Sequence, residues 1–193
     1  MTEQPTTEEK KPICLEIACG QRKQEGWIGI DYIKTKECDI QHDLFKYPWP
    51  IEDNSVSEAS CSHFIEHIPM PCACSNGDAD PLLRFFDELY RIMKDGAKIL
   101  IIAPYYSSHR AWQDPTHRRA ISEHTFLYAN KEWRKVNLLD HYKVSCDFDF
   151  TYGYALFPDT AGRNQETQSF WVSHYINAVQ DIQVTLIKRP KKD

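Results

Sequence analysis

The chain has 193 residues, of which 41% are hydrophobic and 26% charged, with a formal net charge of −5. That length builds one domain with a substantial core but not two. The acidity gives no general attraction to nucleic acid, and no apolar run reaches membrane-spanning length. The segment from Met1 to Lys11 is polar and acidic. It reads as a disordered lead (residues 1–11) rather than a secretory signal, ahead of a single domain over residues 12–193. Cys14, Cys19, Cys38, Cys61, Cys72, Cys74 and Cys146 are odd in number and irregularly spaced. Several lie in apolar runs, which fits the reduced thiols of a cytoplasmic protein better than a disulfide framework.

Ile13 to Ala18 is a short apolar run that stops at Gly20, as a buried parallel strand does. Trp27 to Ile30 is a second, ended by Asp31, with room between the two for one or two helical turns at most. A third short run lies near Cys38 to Ile40. Val56 to Phe64 reads as another strand, and Ile65 to Pro81 as irregular. Leu82, Phe85, Phe86, Leu89, Ile92 and Met93 share one helical face. That helix is expected to start at Asp80-Pro81 and stop at Lys94-Asp95-Gly96. Lys98 to Ala103 is a near-continuous apolar strand, so strand, helix and strand make a parallel crossover unit. Tyr142 to Tyr154 and Ile182 to Ile187 read as long strands joined through the polar stretch Asp159 to Gln168. The expected fold is therefore α/β: a Rossmann-like open sheet, mostly parallel, with a C-terminal antiparallel β-ribbon at its edge.

In such sheets ligands bind at the carboxyl ends of the strands. Strand one ends in Glu16-Ile17-Ala18-Cys19-Gly20, a small-residue turn open to close approach. Strand two ends in Asp31, a carboxylate suited to ribose hydroxyls. His42-Asp43-Leu44 follows, and Ser62-His63 ends the fourth strand. Together with Gly26 to Asp31, Pro50 to Val56, the segment Ser62-His63-Phe64-Ile65-Glu66-His67 and Glu88 to Gly96, this order of motifs resembles the class I S-adenosylmethionine (SAM)-dependent methyltransferases. The similar branch has a short first motif, LGCG followed by GWxxxD. It covers Ile13 to Pro104, roughly half of the chain. The resemblance implies that Glu16, Ala18, Cys19 and Gly20 face the methionine part of SAM. It further implies that Asp31 holds the ribose, that Asp43 and Leu44 hold the adenine, and that Ser62 and His63 close the floor. Ala18 stands where the family usually has glycine, and Gln21-Arg22-Lys23 follow where a later glycine is common.

Asp114-Pro115-Thr116-His117-Arg118-Arg119 is a second candidate site, in a long polar stretch of the kind that carries function. His117 is the expected base with Asp114 as its orienter, and His67 is the second choice. Arg118 and Arg119 are of a type that binds a phosphate or carboxylate. Cys61, His63, His67, Cys72 and Cys74 match no standard zinc spacing, so no metal is expected. Pro71-Cys72 lacks the accompanying motifs of a cytosine C5-methyltransferase. Ala103-Pro104-Tyr105-Tyr106 follows the wrong strand for the tetrapeptide of DNA amino-methyltransferases. Aromatics between Tyr105 and Trp112 and between Tyr152 and Phe157 are candidates to wall a substrate pocket.

The expected activity is methyl transfer from SAM to a small-molecule or nucleotide- or sugar-like acceptor. A SAM-binding regulatory partner without catalysis is one alternative. A nucleic-acid methyltransferase is another, not favoured by the charge, which would need a groove of Arg110, Arg118, Arg119, Lys131, Arg134 and Lys135. No membrane association is expected.

Overall fold

Seven strands form one sheet in a computed structural model that describes residues 12–71, 80–139 and 141–191. They are β1 (Ile13–Ile17), β2 (Ile28–Asp31), β3 (Ile40–Gln41), β4 (Val56–Ser62), β5 (Met93–Pro104), β6 (Phe148–Leu156) and β7 (Val179–Lys188). The order across the sheet is β3-β2-β1-β4-β5-β7-β6. β1 pairs parallel with β2 and β4, β2 with β3, and β4 with β5. β7 runs antiparallel to both β5 and β6. The architecture is the expected Rossmann-like sheet, with the ribbon at the edge and its later strand on the inside. The expected lead at residues 1–11, and Cys72 and Cys74, lie outside the described residues.

The helices are α1 (Pro81–Ile92), α2 (Lys131–Val136), α3 (Pro158–Ala161) and α4 (Gln165–His174). Asp80 caps α1 by accepting from the Leu82 amide at 2.8 Å, and Pro81 occupies the first turn, where its missing N–H costs nothing. The stop differs from the expected glycine cap. The carbonyls of Arg91 and Ile92 are taken by the amides of Asn54 and Ser55, each at 2.9 Å. The chain therefore enters β5 directly at Met93. Lys94 to Gly96 form a bulge there: the register moves from Val56↔Met93 to Glu58↔Lys98, and Gly96 absorbs it at φ 77°.

Residues 18–27 form turns and no helix, within the expected limit of one or two helical turns. One other boundary differs from expectation. Residues 142–147 stay out of β6, because the Asp87 carboxylate accepts the amides of Ser145 (2.9 Å) and Cys146 (2.7 Å) and so removes them from the ladder. The polar link before β7 folds as α3 and α4, the latter capped by Asn164 on the Thr167 amide.

Strand pairing sorts the sheet into two faces. Leu15, Ala59, Ile99 and Leu186 lie in one cross-sheet row and are buried. They join the apolar side of α1 (Leu82, Phe85, Phe86, Leu89 and Ile92) and Phe126 in one core. Truncating a ring such as Phe85 there costs about 3–5 kcal/mol. The next row, Glu16, Ser60, Leu100, Thr185 and Thr151, points the other way, and Leu100 is 38% exposed. Parallel strands usually have both faces covered. Here the turn-only connection after β1 leaves this face partly open.

Candidate functional site

The carboxyl ends of β1 and β4 enclose a cavity of about 570 Å³ lined by Glu16, Ala18, Cys19, Gln21, Arg22, Lys23, Gln24, Ser62 and His63. Five of the nine expected cofactor residues thus meet in one place. A larger cavity, about 640 Å³, lies between α1 and Lys188 among paired charges such as Arg91 and Glu88, so volume alone does not mark the site.

The turn after β1 is held by main-chain geometry. Ala18 (φ 55°) and Gly20 (φ 52°) are both left-handed. For alanine that conformation costs on the order of 1 kcal/mol, a form of strain that collects at functional sites. The Ala18 amide donates to the Ile30 carbonyl at 2.9 Å, and the Thr35 hydroxyl donates to the Gly20 carbonyl. Asp31 is buried behind the turn. One carboxylate oxygen accepts from the Gly20 amide and the other from the Ile33 amide, both at 2.9 Å. Each oxygen keeps a lone pair for a ligand hydroxyl. Gly29 closes the back: a Cβ there would stand 2.2 Å from the Glu37 carbonyl.

Asp43 and Leu44 stand apart from this cavity. Asp43 accepts from the Phe45 amide at 3.1 Å and lies 3.4 Å from Lys46. Leu44 is a core side chain whose carbonyl accepts the Trp49 indole N–H at 3.1 Å. Tyr32 and Ile33, directly after Asp31, are exposed apolar side chains. Burial, with Asp31 close by, pushes the Cys19 thiol up to about 11, and burial holds the Cys61 thiol well above its ordinary value. Neither thiol is an activated nucleophile.

The second candidate segment folds against the end of β4. A short 3-10 turn, Ile65–His67, follows His63, and the Glu66 carbonyl accepts the amides of Arg118 (2.7 Å) and Arg119 (3.1 Å). This brings His67 and His117 together, with ring centroids 4.7 Å apart at 76°. The orienters differ from expectation. His117 Nδ1 is 2.9 Å from the Ala111 carbonyl, which only accepts, so the proton sits on Nδ1 and Nε2 is free. Asp114 instead accepts from the Thr116 amide and hydroxyl, each at 2.7 Å, and these bonds hold its carboxyl below the usual range. The Thr116 oxygen, its proton spent on Asp114, accepts from His67 Nδ1 at 3.0 Å. His67 therefore also presents Nε2. Glu66 is 1% exposed, and neither carboxylate oxygen has a hydrogen-bond partner. His63 Nδ1 lies 3.3 Å from Glu66 Oε1 without hydrogen-bond alignment, and that carboxylate raises the His63 pKa.

Glu66 and Thr116 lay inside quoted motifs without a role. The apolar Ile65 and Ile68 flanking Glu66 were the signal that this carboxylate is buried. The arginines take structural duties. Arg119 donates to the carbonyls of Ile68 and Pro69 and to Asp80. Arg118 donates to the Pro115 carbonyl. Arg134 is buried on the carbonyls of Tyr128 and Cys146, and Arg110 pairs with Asp181 at 3.1 Å. Lys131 and Lys135 line a separate cavity with Arg189. These cations do not make one groove.

No protein-family model matches the chain, and no curated protein sequence matches it significantly. Solved structures do. A SAM-dependent methyltransferase from Archaeoglobus fulgidus superposes with a TM-score of 0.56 at 18% identity, over 92% of this chain and 86% of that one. One from Thermotoga maritima gives 0.55 at 15% identity, over 93% and 84%. The YcgJ protein of Bacillus subtilis gives 0.51 at 12% identity, over 93% of each. At such identities the likeness carries the fold, which is that of the class I methyltransferases. Among the described residues no helix is long and apolar enough to cross a membrane.

Proposed function

We propose that this chain is a SAM-dependent methyltransferase whose acceptor is a small molecule or a nucleotide- or sugar-like group. The observation that supports it is the Asp31-pinned turn at the mouth of the cavity between β1 and β4. The donor set fits the cofactor. Glu16 offers a carboxylate to an ammonium group and exposed Arg22 a cation to a carboxylate, while Asp31 keeps acceptors for a ribose diol. Lys23 is held by Asp39 at 2.5 Å and adds to the wall. Bound SAM supplies an electrophilic methyl group to an acceptor aligned with its carbon–sulfur bond.

What the protein contributes is alignment and proton removal. The left-handed turn lets a ligand approach the backbone of Ala18 to Gly20. His67 and His117 both have Nδ1 engaged, and their neighbour Glu66 lies 3.3 Å from His63 of the cavity wall. In this reading their Nε2 atoms take the proton from an O–H or N–H acceptor. This pairing favours an enzyme over a binding partner without catalysis.

Calorimetric titration with SAM and with S-adenosylhomocysteine tests the reading. One molecule of either per chain, each displacing the other, is the expected result. Absence of heat with both overturns it. Transfer of an isotopically labelled methyl group from SAM to a small-molecule extract then separates enzyme from partner.

A further inference from the structure

The cluster around Glu66 has more order than proton removal needs. One ligand atom from each of Glu66, His67 and His117 lies within 4.8 Å of the other two. Glu66 is 1% exposed, neither oxygen has a hydrogen-bond partner, and Oε1 faces the His63 imidazole at 3.3 Å; a carboxylate buried this way costs several kcal/mol unless a cation answers it. Both imidazoles have their Nδ1 fixed, one on the Ala111 carbonyl and one through Thr116 on Asp114. That is the outer-shell pattern of metal-ligating histidines, which donate the other ring N–H to a carbonyl or, directly or through a relay, to a carboxylate. The two segments that carry them are joined by the paired amides of Arg118 and Arg119 on the Glu66 carbonyl, so the ligand backbones are brought together without an ion.

We propose that Glu66, His67 and His117 hold one divalent transition cation, of the zinc class, beside the methyl-acceptor side of the cavity. Two imidazoles and one carboxylate suit zinc, and three protein ligands leave an open position of the kind catalytic zinc sites keep. Ligand bonds of about 2.0–2.1 Å place tetrahedral ligand atoms about 3.4 Å apart. The two histidines are only partly buried, and closing from the present separations takes small side-chain shifts. His63 Nδ1, 3.3 Å from Glu66 Oε1, is the neighbour that a cation on this carboxylate would displace. This set shares His67 with the Cys61, His63, His67, Cys72 and Cys74 run, for which no metal was expected, but takes Glu66 and His117 in place of the cysteines.

The role of the ion deepens the proposed function and rests on it. An acceptor hydroxyl or amine taken at the open position loses its proton to solvent water more readily. Its electron pair then forms the bond to the methyl carbon while the carbon–sulfur bond of SAM breaks, with its electrons on sulfur. The two imidazoles act in that case as ligands, and their fixed tautomer is what makes them so.

The test is calorimetric titration of the full chain with zinc, together with the visible spectrum of the cobalt-loaded protein. One ion per chain and a tetrahedral cobalt band are expected. Glu66→Gln and His117→Asn should each weaken zinc binding at least ~100-fold, with far-UV circular dichroism unchanged. His124→Ala, an exposed histidine outside the cluster, should leave binding as it is. His117→Asn changes a partly exposed side chain, so it reports even if Glu66→Gln does not fold. Absence of zinc binding by the parent protein overturns the site. So does binding that survives both substitutions, or that disappears only when Cys72 and Cys74 become serine. SAM titrated into the same samples keeps the two proposals apart. SAM binding without zinc binding ends this inference alone, and zinc binding without SAM binding ends the functional reading alone.

Discussion

The two halves of the candidate site are built by different means. The proposed cofactor half is backbone: Ala18, Gly20 and Gly29 set the path, and Asp31 acts first by accepting main-chain amides. The proposed acceptor half is side chain: Glu66, His67, Thr116 and His117 face one another across two segments stitched at a single carbonyl. A backbone site tolerates side-chain change except where a side chain props the main chain. A side-chain site fails at each member separately. Substitutions on the two halves should therefore dissociate.

The largest effect is expected at Asp31. Asp31→Ala removes acceptors for a ribose diol and releases the Gly20 and Ile33 amides. Hydrogen bonds to a charged group are worth about 1.5–3 kcal/mol each, so SAM affinity should fall by about 100-fold or more. Zinc binding should remain. His117→Asn should show the reverse pattern, with SAM affinity retained and zinc affinity lost. Calorimetry on both variants with both ligands checks this. Loss of both ligands in either variant would mean the halves form one unit and would break the comparison.

The same contrast governs how much could be read in advance. Glu16 to Gly20 are contiguous, and Asp31 ends the strand next door, so the cofactor half follows from local pattern and parallel pairing. Thr116 and His67 are 49 residues apart, and no period or spacing predicts their hydrogen bond. For that reason Asp114 was assigned to His117, its near neighbour in sequence, when it serves Thr116 and through it His67. Element boundaries failed for a related cause. The end of α1 is set by the amides of Asn54 and Ser55, and the start of β6 by the carboxylate of Asp87. Both are long-range caps. Lys98 to Ala103 reads as a near-continuous apolar strand, yet Leu100 is exposed, because the connection after β1 is a turn that covers nothing.

A smaller effect separates backbone from side chain within the cofactor half itself. In Gly29→Ala the new Cβ would meet the Glu37 carbonyl at 2.2 Å and the Cys19 sulfur at 2.9 Å, so the wall behind the turn must move. Overpacking of this kind costs about 1–3 kcal/mol. Urea unfolding should show that loss, with weaker SAM binding as Cys19 shifts. Gly153→Ala is the control. Nothing lies within 4 Å of its Cβ position, so stability should stay within about 0.5 kcal/mol of the parent. Equal stability of the two variants would show that the turn is less tightly specified than its contacts imply.

The smallest effect tests charge rather than shape, and it is confined to the cofactor half. Asp39 accepts from the Gly29 amide at 2.7 Å and from Lys23 at 2.5 Å, and these two partners hold its carboxyl below the usual carboxylate range. Between the depressed folded pKa and the ordinary value near 4, the unfolded chain binds the extra proton, so stability rises with pH there. The Asp39 contribution is thus complete above about pH 4 and is lost as pH falls through the lower folded value. Asp39 is 47% exposed, so solvent screening keeps the contribution small. Melting temperatures followed from about pH 6 down to about pH 2 should fall less steeply for Asp39→Asn than for the parent. Superposable acid limbs would mean that Gly29 is held by shape alone, and the cofactor half would then be a backbone site with no electrostatic component behind its turn.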